Sequence, residues 1–195
     1  MGAIEEKSQQ SLDYLHHKPS ESIVEIMNIY GDEIKRLVFS YVNNEVDAED
    51  VTQEVFVTVY QKLHTYQGDS SLKSWIYSIA INKSKDYLRS WHSRNQKLLN
   101  KIKNSGNLLV VSKETPEKET IKQDESDNLF EKIMDLPIKY REVIVLYYYK
   151  ELSLKEISNI LGQRLPTIQT RLFRARKKLK DLLLDEKEGY TWINN

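Results

Sequence analysis

Near the end of this 195-residue chain, residues of types that read nucleic acid recur at helical spacing. Drawn at about 100° per residue, Gln169, Thr170, Phe173, Arg174 and Lys177 share one face of a helix, and Ile168, Leu172, Ala175 and Leu179 form a narrow apolar stripe opposite. Amide and guanidinium groups can bond base edges, a phenyl ring can touch a thymine methyl, and flanking bases such as Arg171 and Lys178 can neutralise phosphates. A basic amphipathic helix can also bind an acidic protein or a lipid surface. A second constellation suits an unpaired base. Ser78, Asn82, Lys85 and Arg89 follow one another at spacings of four, three and four, downstream of the polar loop Gln67-Gly68-Asp69-Ser70-Ser71. Stacking and amide hydrogen bonds serve a base that has left its duplex. A third is acidic: Asp47, Glu49, Asp50 and Glu54. Such carboxylates could hold a metal for a nuclease, or simply complement the dipole at a helix start. No His lies among them, and the chain lacks a phosphate-cradling glycine loop or a nucleophile–base pairing. No metal, cofactor or catalytic residue is therefore expected.

These groups need helices to hold them. Glycine and proline are sparse, and apolar residues recur at helical spacing, so the chain reads as all-α. A first helix spans about Ser22 to Val42, with Ile23, Ile26, Met27, Tyr30, Ile34, Leu37, Val38 and Tyr41 inward. A second starts near Asp47, an N-cap candidate, and runs to about Tyr66, with Val51, Val55 and Val59 inward and Asp50, Gln53, Glu54 and Val57 outward. A third runs from Leu72 to Lys97 or beyond on a core stripe of Leu72, Trp75, Ile76, Ile79 and Ala80. A linker of mixed charge follows. Leu129 to Asp135 is a short helix, and Pro137 opens another that ends by Lys150. Ser153-Leu154-Lys155-Glu156 is a capping box, Gly162 closes its helix, and Pro166 opens a last one to about Asp185. The final pair, joined by Gly162-Gln163-Arg164-Leu165, has helix-turn-helix spacing.

Composition sets the outer bounds. Hydrophobic residues make up 39% and charged ones 30%, which favours small helical cores over one deep one. The 29 basic and 29 acidic residues cancel, yet they segregate along the chain. Acidic blocks at 32–54 and 114–135 alternate with basic blocks at 73–103 and 157–180. Two basic blocks carrying aromatics point to a nucleic-acid surface. The absence of cysteine excludes disulfides and thiolate chemistry. No apolar run approaches the roughly 18–20 residues of a membrane span, and the first twenty residues lack a signal peptide's apolar stretch. A soluble cytoplasmic protein without membrane insertion is expected.

The stretch from Leu136-Pro137 through Leu152-Ser153, Glu156-Ile157, Leu161-Gly162 and Thr167-Ile168 to Arg174-Ala175-Arg176 resembles the promoter-binding domain of bacterial sigma factors of the extracytoplasmic-function (ECF) type. Asp47 to Phe56 resembles that family's polymerase-binding helix, and Tyr66 to Asn82 its promoter-opening segment. The resemblance covers about 22–95 and 127–184. It implies two small helical domains joined by a flexible linker: a tail (1–21), a region-two domain (22–98), the linker (99–126), a region-four helix-turn-helix domain (127–186) and a second tail (187–195). It further implies a non-enzymatic factor that binds core RNA polymerase through Asp47, Asp50, Gln53, Glu54 and Val57. Gln169, Thr170, Arg171, Phe173, Arg174, Lys177 and Lys178 would read the duplex upstream element. Gln67, Gly68, Asp69, Ser70, Ser78, Asn82, Lys85 and Arg89 would take the single-stranded downstream element. An anti-sigma partner and a stress or cell-envelope regulon belong to the same implication. One departure is Gln169, where the family commonly has Arg or Lys. The rival among binding proteins is a helix-turn-helix regulator acting without polymerase, though the chain has neither a heptad seam nor a ligand-like site for it.

Overall fold

The first helix, α1 (Pro19–Val42), opens on a proline whose fixed φ suits the first turn. It ends where Asn43 turns left-handed at φ 55° and its N–H donates to the Phe39 carbonyl. Throughout, the computed structural model describes residues 15–104 and 125–191, with side chains over 15–96 and 128–184. Along α1, Ile26, Ile34, Leu37, Val38 and Tyr41 are buried, whereas Met27, expected with them, keeps 48% of its surface.

The second helix, α2 (Glu45–Lys62), is capped by Asn44 rather than by Asp47. Asn44 has extended backbone at φ −151° and ψ 131°, which aims its Oδ1 at the Asp47 N–H, 3.0 Å away. Asp47 is thus the third residue inside the helix. A 3-10 turn, Leu63–Thr65, carries the chain into the loop. Helix α3 (Leu72–Asn104) is longer than its apolar stripe, so residues 99–104 of the expected linker are helical. The rest of that linker up to 124 lies outside the described residues.

The C-terminal half contains α4 (Glu125–Asp135), α5 (Ile138–Ile144), α6 (Leu154–Leu161) and α7 (Leu165–Thr191). Pro137 is the cap of α5, with ψ 138°, one residue earlier than its expected place inside the helix. After α5 the backbone widens into a π turn, Val145–Tyr149, closed by the Lys150 N–H on the Val145 carbonyl at 3.1 Å. Glu151 then adopts a left-handed φ of 53°, a strained state for a non-glycine, and Leu152 returns to donate to the Leu146 carbonyl at 3.1 Å. Helix α7 continues past the expected end of the domain at 186.

Helices α1, α2 and α3 pack on one another, while α5 and α6 pack on α7 with α4 alongside. The two units also meet, α3 against α6 and α1 against α5, and their buried residues form one continuous cluster. At the seam the Phe39 and Phe130 rings stack with centroids 6.3 Å apart. The Arg141 guanidinium donates to the Ser40 carbonyl (3.0 Å) and to those of Met134 and Leu136. These carbonyls lie at the C-terminal ends of α1 and α4, where helix dipoles favour a cation. Burial nevertheless pulls the Arg141 pKa below its ordinary value. Lys150 reaches the Glu33 carbonyl at 3.3 Å and its carboxylate at 3.7 Å, with its own pKa lowered by burial.

Candidate nucleic-acid interface

Helix α6 starts on a reciprocal cap. The Glu156 N–H donates to Ser153 Oγ at 3.3 Å, and the Ser153 N–H donates to Glu156 Oε2 at 2.9 Å. The Ser153 hydroxyl, which donates to Oε2 at 2.6 Å, and the Ser153 N–H hold the Glu156 carboxyl below its usual pKa. A cap of this kind contributes about 1 kcal/mol. Gly162 ends the helix at φ 60°, and the Gln163 N–H donates back to the Ser158 carbonyl at 3.0 Å. A Cβ at Gly162 would meet nothing within 4 Å, so the backbone angle rather than space calls for glycine there. The turn delivers α7 with Ile168, Leu172 and Ala175 buried against the domain.

On the far side Gln169, Thr170, Phe173, Arg174, Lys177 and Lys178 are exposed. Phe173 leaves 70% of its surface in water. The Thr170 hydroxyl donates to the Pro166 carbonyl at 2.9 Å, which leaves its lone pairs facing outward as acceptors. Arg171, grouped by sequence with these residues, is turned away from them. Its Nη1 donates to Glu142 Oε1 at 3.0 Å, and Glu142 is among the few buried charged residues described. Position 171 lies between the buried stripe and the exposed face, and the buried carboxylate draws its side chain inward. Arg176, also in the basic block, lies 5.5 Å from the Tyr147 and Tyr148 ring centroids and donates Nε to the Tyr148 hydroxyl at 2.8 Å.

In the N-terminal unit the loop Gln67–Ser70 is exposed and firmly seated at both ends. The Tyr66 hydroxyl donates to the Ser70 carbonyl at 2.7 Å, and the Tyr66 and Trp75 rings lie 5.4 Å apart. His16 Nε2 stands 3.0 Å from the Tyr66 carbonyl, a fastening from the N-terminal side that spacing did not reveal. Gly68 sits at φ 79°, the left-handed region that suits glycine. Ser71 Oγ accepts from the Ser74 N–H at 3.1 Å and so caps α3. Asn82 and Arg89 are exposed along α3, with Arg89 paired to Asp86 one turn away. Ten residues separate Leu72 from Asn82, about 15 Å along the axis, so loop and Asn82 are successive positions along a track. The Ser78 hydroxyl donates to the Trp75 carbonyl. Lys85 departs from the expected stripe: its ammonium lies 2.7 Å from Glu142 Oε2, across the seam. Tyr77, left out of the expected core stripe, is fully buried on the inner side of α3.

The acidic face of α2 keeps Asp50, Gln53, Glu54 and Val57 outward, with Val51, Val55 and Val59 buried beneath. Asp47 is half-buried and turned toward Tyr87, whose pKa burial and that carboxylate together push up to about 12. Its place inside the first turn, rather than at the cap, sets that direction. Glu49 pairs with Lys35 at 2.7 Å, and Glu54 with Lys83 at 3.7 Å. Two further residues extend the face: Val46 is 68% exposed and Tyr60 44%. Val46, Asp50, Gln53, Val57 and Tyr60 follow at spacings of four, three, four and three, a continuous helical stripe that extending the wheel by one turn each way would have found. Among the described residues no cluster of three or more His, Asp or Glu is placed to hold a metal, and no helix is long and apolar enough to cross a membrane.

Residues 26–94 match the family described as Sigma-70 region 2, and residues 126–179 match Sigma-70, region 4. The ECF RNA polymerase sigma factor SigW of Bacillus subtilis is 32% identical over 170 residues, covering 85% of this chain and 90% of the relative. The ECF RNA polymerase sigma-E factor of Escherichia coli is 31% identical over 156 residues, covering 77% and 80%. Among solved structures, the sigma factor RpoE of Bartonella quintana, crystallised with the anti-sigma factor NepR, superposes with a TM-score of 0.62 at 19% identity, over 84% of this chain and 97% of that one. CnrH, solved with the cytosolic domain of CnrY, superposes with the same score at 20% identity over 88% and 94%.

Proposed function

We propose, from the premise that this chain belongs to the extracytoplasmic-function group of RNA polymerase sigma factors, a division of labour among its three exposed faces. Such a factor binds core RNA polymerase and directs it to promoters. In this reading α7 enters the major groove of the upstream element, with Gln169, Phe173 and Arg174 toward base edges and Thr170, Lys177 and Lys178 toward the backbone. Gln67 to Ser70, Ser78, Asn82 and Arg89 line the path of the separated downstream strand. Val46, Asp50, Gln53, Glu54, Val57 and Tyr60 dock on the polymerase, with Asp47 behind them. The single observation that carries the reading is Phe173. A phenyl ring with 70% of its surface in water, centred among amide, hydroxyl and guanidinium groups, suits a thymine methyl.

The chemistry remains the polymerase's; this chain contributes recognition and no catalytic group. Opening about ten base pairs costs on the order of 14 kcal/mol of stacking, at about 1.4 kcal/mol per step. One or two captured bases return only about 1–3 kcal/mol each. The protein alone is therefore expected to leave duplex DNA closed, and most of the opening free energy comes from polymerase contacts and bending. Its place of action is the cytoplasm, where polymerase and promoter are found. An anti-sigma protein, as in the crystallised relative, is the regulatory partner we infer.

Run-off transcription by core polymerase on genomic fragments tests the assignment: discrete transcripts are expected only when this protein is added, and their absence across the genome would refute it. On a promoter so found, Gln67→Ala and Asn82→Ala should reduce permanganate reactivity of the opened region more than they reduce initial duplex binding. Their partner, an unpaired base, exists only after melting begins. Footprints of normal intensity in both variants would remove these residues from the downstream site.

A further inference from the structure

Glu142 stands apart from every other carboxylate described. Its side chain is only 2% exposed, and its two oxygens face different domains. Oε1 accepts from Arg171 at 3.0 Å, within the C-terminal unit. Oε2 accepts from the Tyr41 hydroxyl of α1 at 3.2 Å and lies 2.7 Å from the Lys85 ammonium of α3, both in the N-terminal unit. Tyr41 is itself buried. We propose that Glu142 is a latch: Oε1 anchors it in its own domain, and Oε2 holds the N-terminal domain closed against it in the free protein, keeping Lys85 off nucleic acid until the domains part.

Three observations support a latch rather than a permanent weld. Residues 105–124 join the units, and twenty residues fully extended reach on the order of 66–72 Å, so chain connectivity does not enforce the contact. Beside an apolar part that includes the Phe39–Phe130 stack, the seam is crossed by polar bonds: Glu142 to Tyr41 and Lys85, Arg141 to the Ser40 carbonyl, and Lys150 to Glu33. Burying an ion pair gains little net free energy, because the lost hydration nearly cancels the attraction. When the domains separate, Glu142, Lys85 and Tyr41 recover water, and Arg171 still attends Oε1. Such a contact fixes one orientation closely while leaving it easy to open. It is also selective, since it withholds Lys85 and leaves Arg174, Lys177 and the outward face of α2 uncovered.

The absence of cysteine makes a direct test clean. Gln61→Cys and Asp181→Cys, both at exposed positions in different domains, take a donor and an acceptor dye on the full-length chain. The unaltered background should show one closed population by single-molecule energy transfer. Glu142→Gln removes the charge, and Tyr41→Phe with Lys85→Gln removes the cross-domain partners while leaving the Arg171–Glu142 pair in place. Both should raise the open-to-closed ratio by about tenfold or more, the usual worth of a hydrogen bond to a charged group. Unchanged transfer distributions in both variants, or a background already open, would overturn the latch. A second arm rests on the reading of Lys85 as a nucleic-acid contact. Glu142→Gln, which keeps Lys85, should bind a 20-nucleotide single strand of arbitrary sequence several-fold more tightly, and adding Lys85→Gln should abolish the gain. Opening without any gain would overturn the withholding of Lys85 and refute its contact role, while the energy-transfer result would still uphold the latch.

Discussion

Reversing two charges on α2, Asp50→Lys with Glu54→Lys, is expected to lower affinity for core RNA polymerase by at least a hundredfold while helicity and melting temperature stay close to those of the parent. Both side chains point away from Val51, Val55 and Val59, which are at most 2% exposed, so the core is untouched. Juxtaposing like charges at an interface costs on the order of several kcal/mol, which two reversals together readily reach. Glu54→Lys also places a cation near Lys83, now 3.7 Å from the carboxylate, and the shorter reach of Asp50 carries no such complication. Glu49→Lys supplies the control. It shifts net charge by +2 where the double variant shifts it by +4, and it points about 100° from Asp50 and about 140° from Glu54 on the wheel, toward Lys35 at 2.7 Å. Polymerase affinity measured by fluorescence titration should therefore fall for the double variant and stay within a few-fold for the control. Equal losses in both would reduce the face to bulk negative charge, and no loss in either would remove it from the interface.

What was legible beforehand followed from local rules. Ser153 with Glu156, Gly162 and the Ile168/Leu172/Ala175 stripe are each fixed by residues within a few positions, and each lies where its pattern indicates. Local rules also misled where two residues competed for one job: Asp47 has the composition of a cap, but Asn44, three positions earlier, has the extended backbone that makes one. The pairings of Arg171 and Lys85 with Glu142 lie beyond such rules. Glu142 is 29 residues from Arg171 and 57 from Lys85, and its neighbours on α5 mark it as an ordinary exposed acid. Only the docking of two helical units makes it a buried hub. The π turn at Val145–Tyr149 is hidden for a similar reason, since five apolar and aromatic residues in succession carry no periodicity to show a widened turn. Val46 and Tyr60, by contrast, were within reach of the wheel, because the stripe simply runs one turn further at each end.

Three basic residues of α7, within one stretch of eight, should give three different results on truncation, which separates reading, charge and structure on a single helix. Arg174 is exposed opposite the buried stripe, beside Phe173. Arg174→Ala should cost about 1–3 kcal/mol on the preferred upstream element and relax discrimination at one base pair. Lys178 lies on the flank, its ammonium 6.0 Å from the Tyr140 ring centroid, where it reaches a phosphate more readily than a base. Lys178→Ala should weaken all sequences about equally and lower the salt slope by about one, since each neutralised phosphate contributes roughly 0.9. Arg171 should act on stability. Its removal strips Oε1 of Glu142, and breaking a buried pair costs about 3–5 kcal/mol, here toward the lower end because Arg171 is partly exposed and Lys85 and Tyr41 remain on Oε2. Denaturant melts should therefore show a lowered midpoint for Arg171→Ala alone. Arg171→Lys should recover only part of it, because a point charge cannot reproduce the guanidinium fork that also reaches Gln163. If all three variants instead lose DNA affinity equally, with parallel salt dependence and unaltered melts, then α7 contributes only diffuse positive charge. Neither the inward turn of Arg171 nor the base contact of Arg174 would then have any energetic meaning.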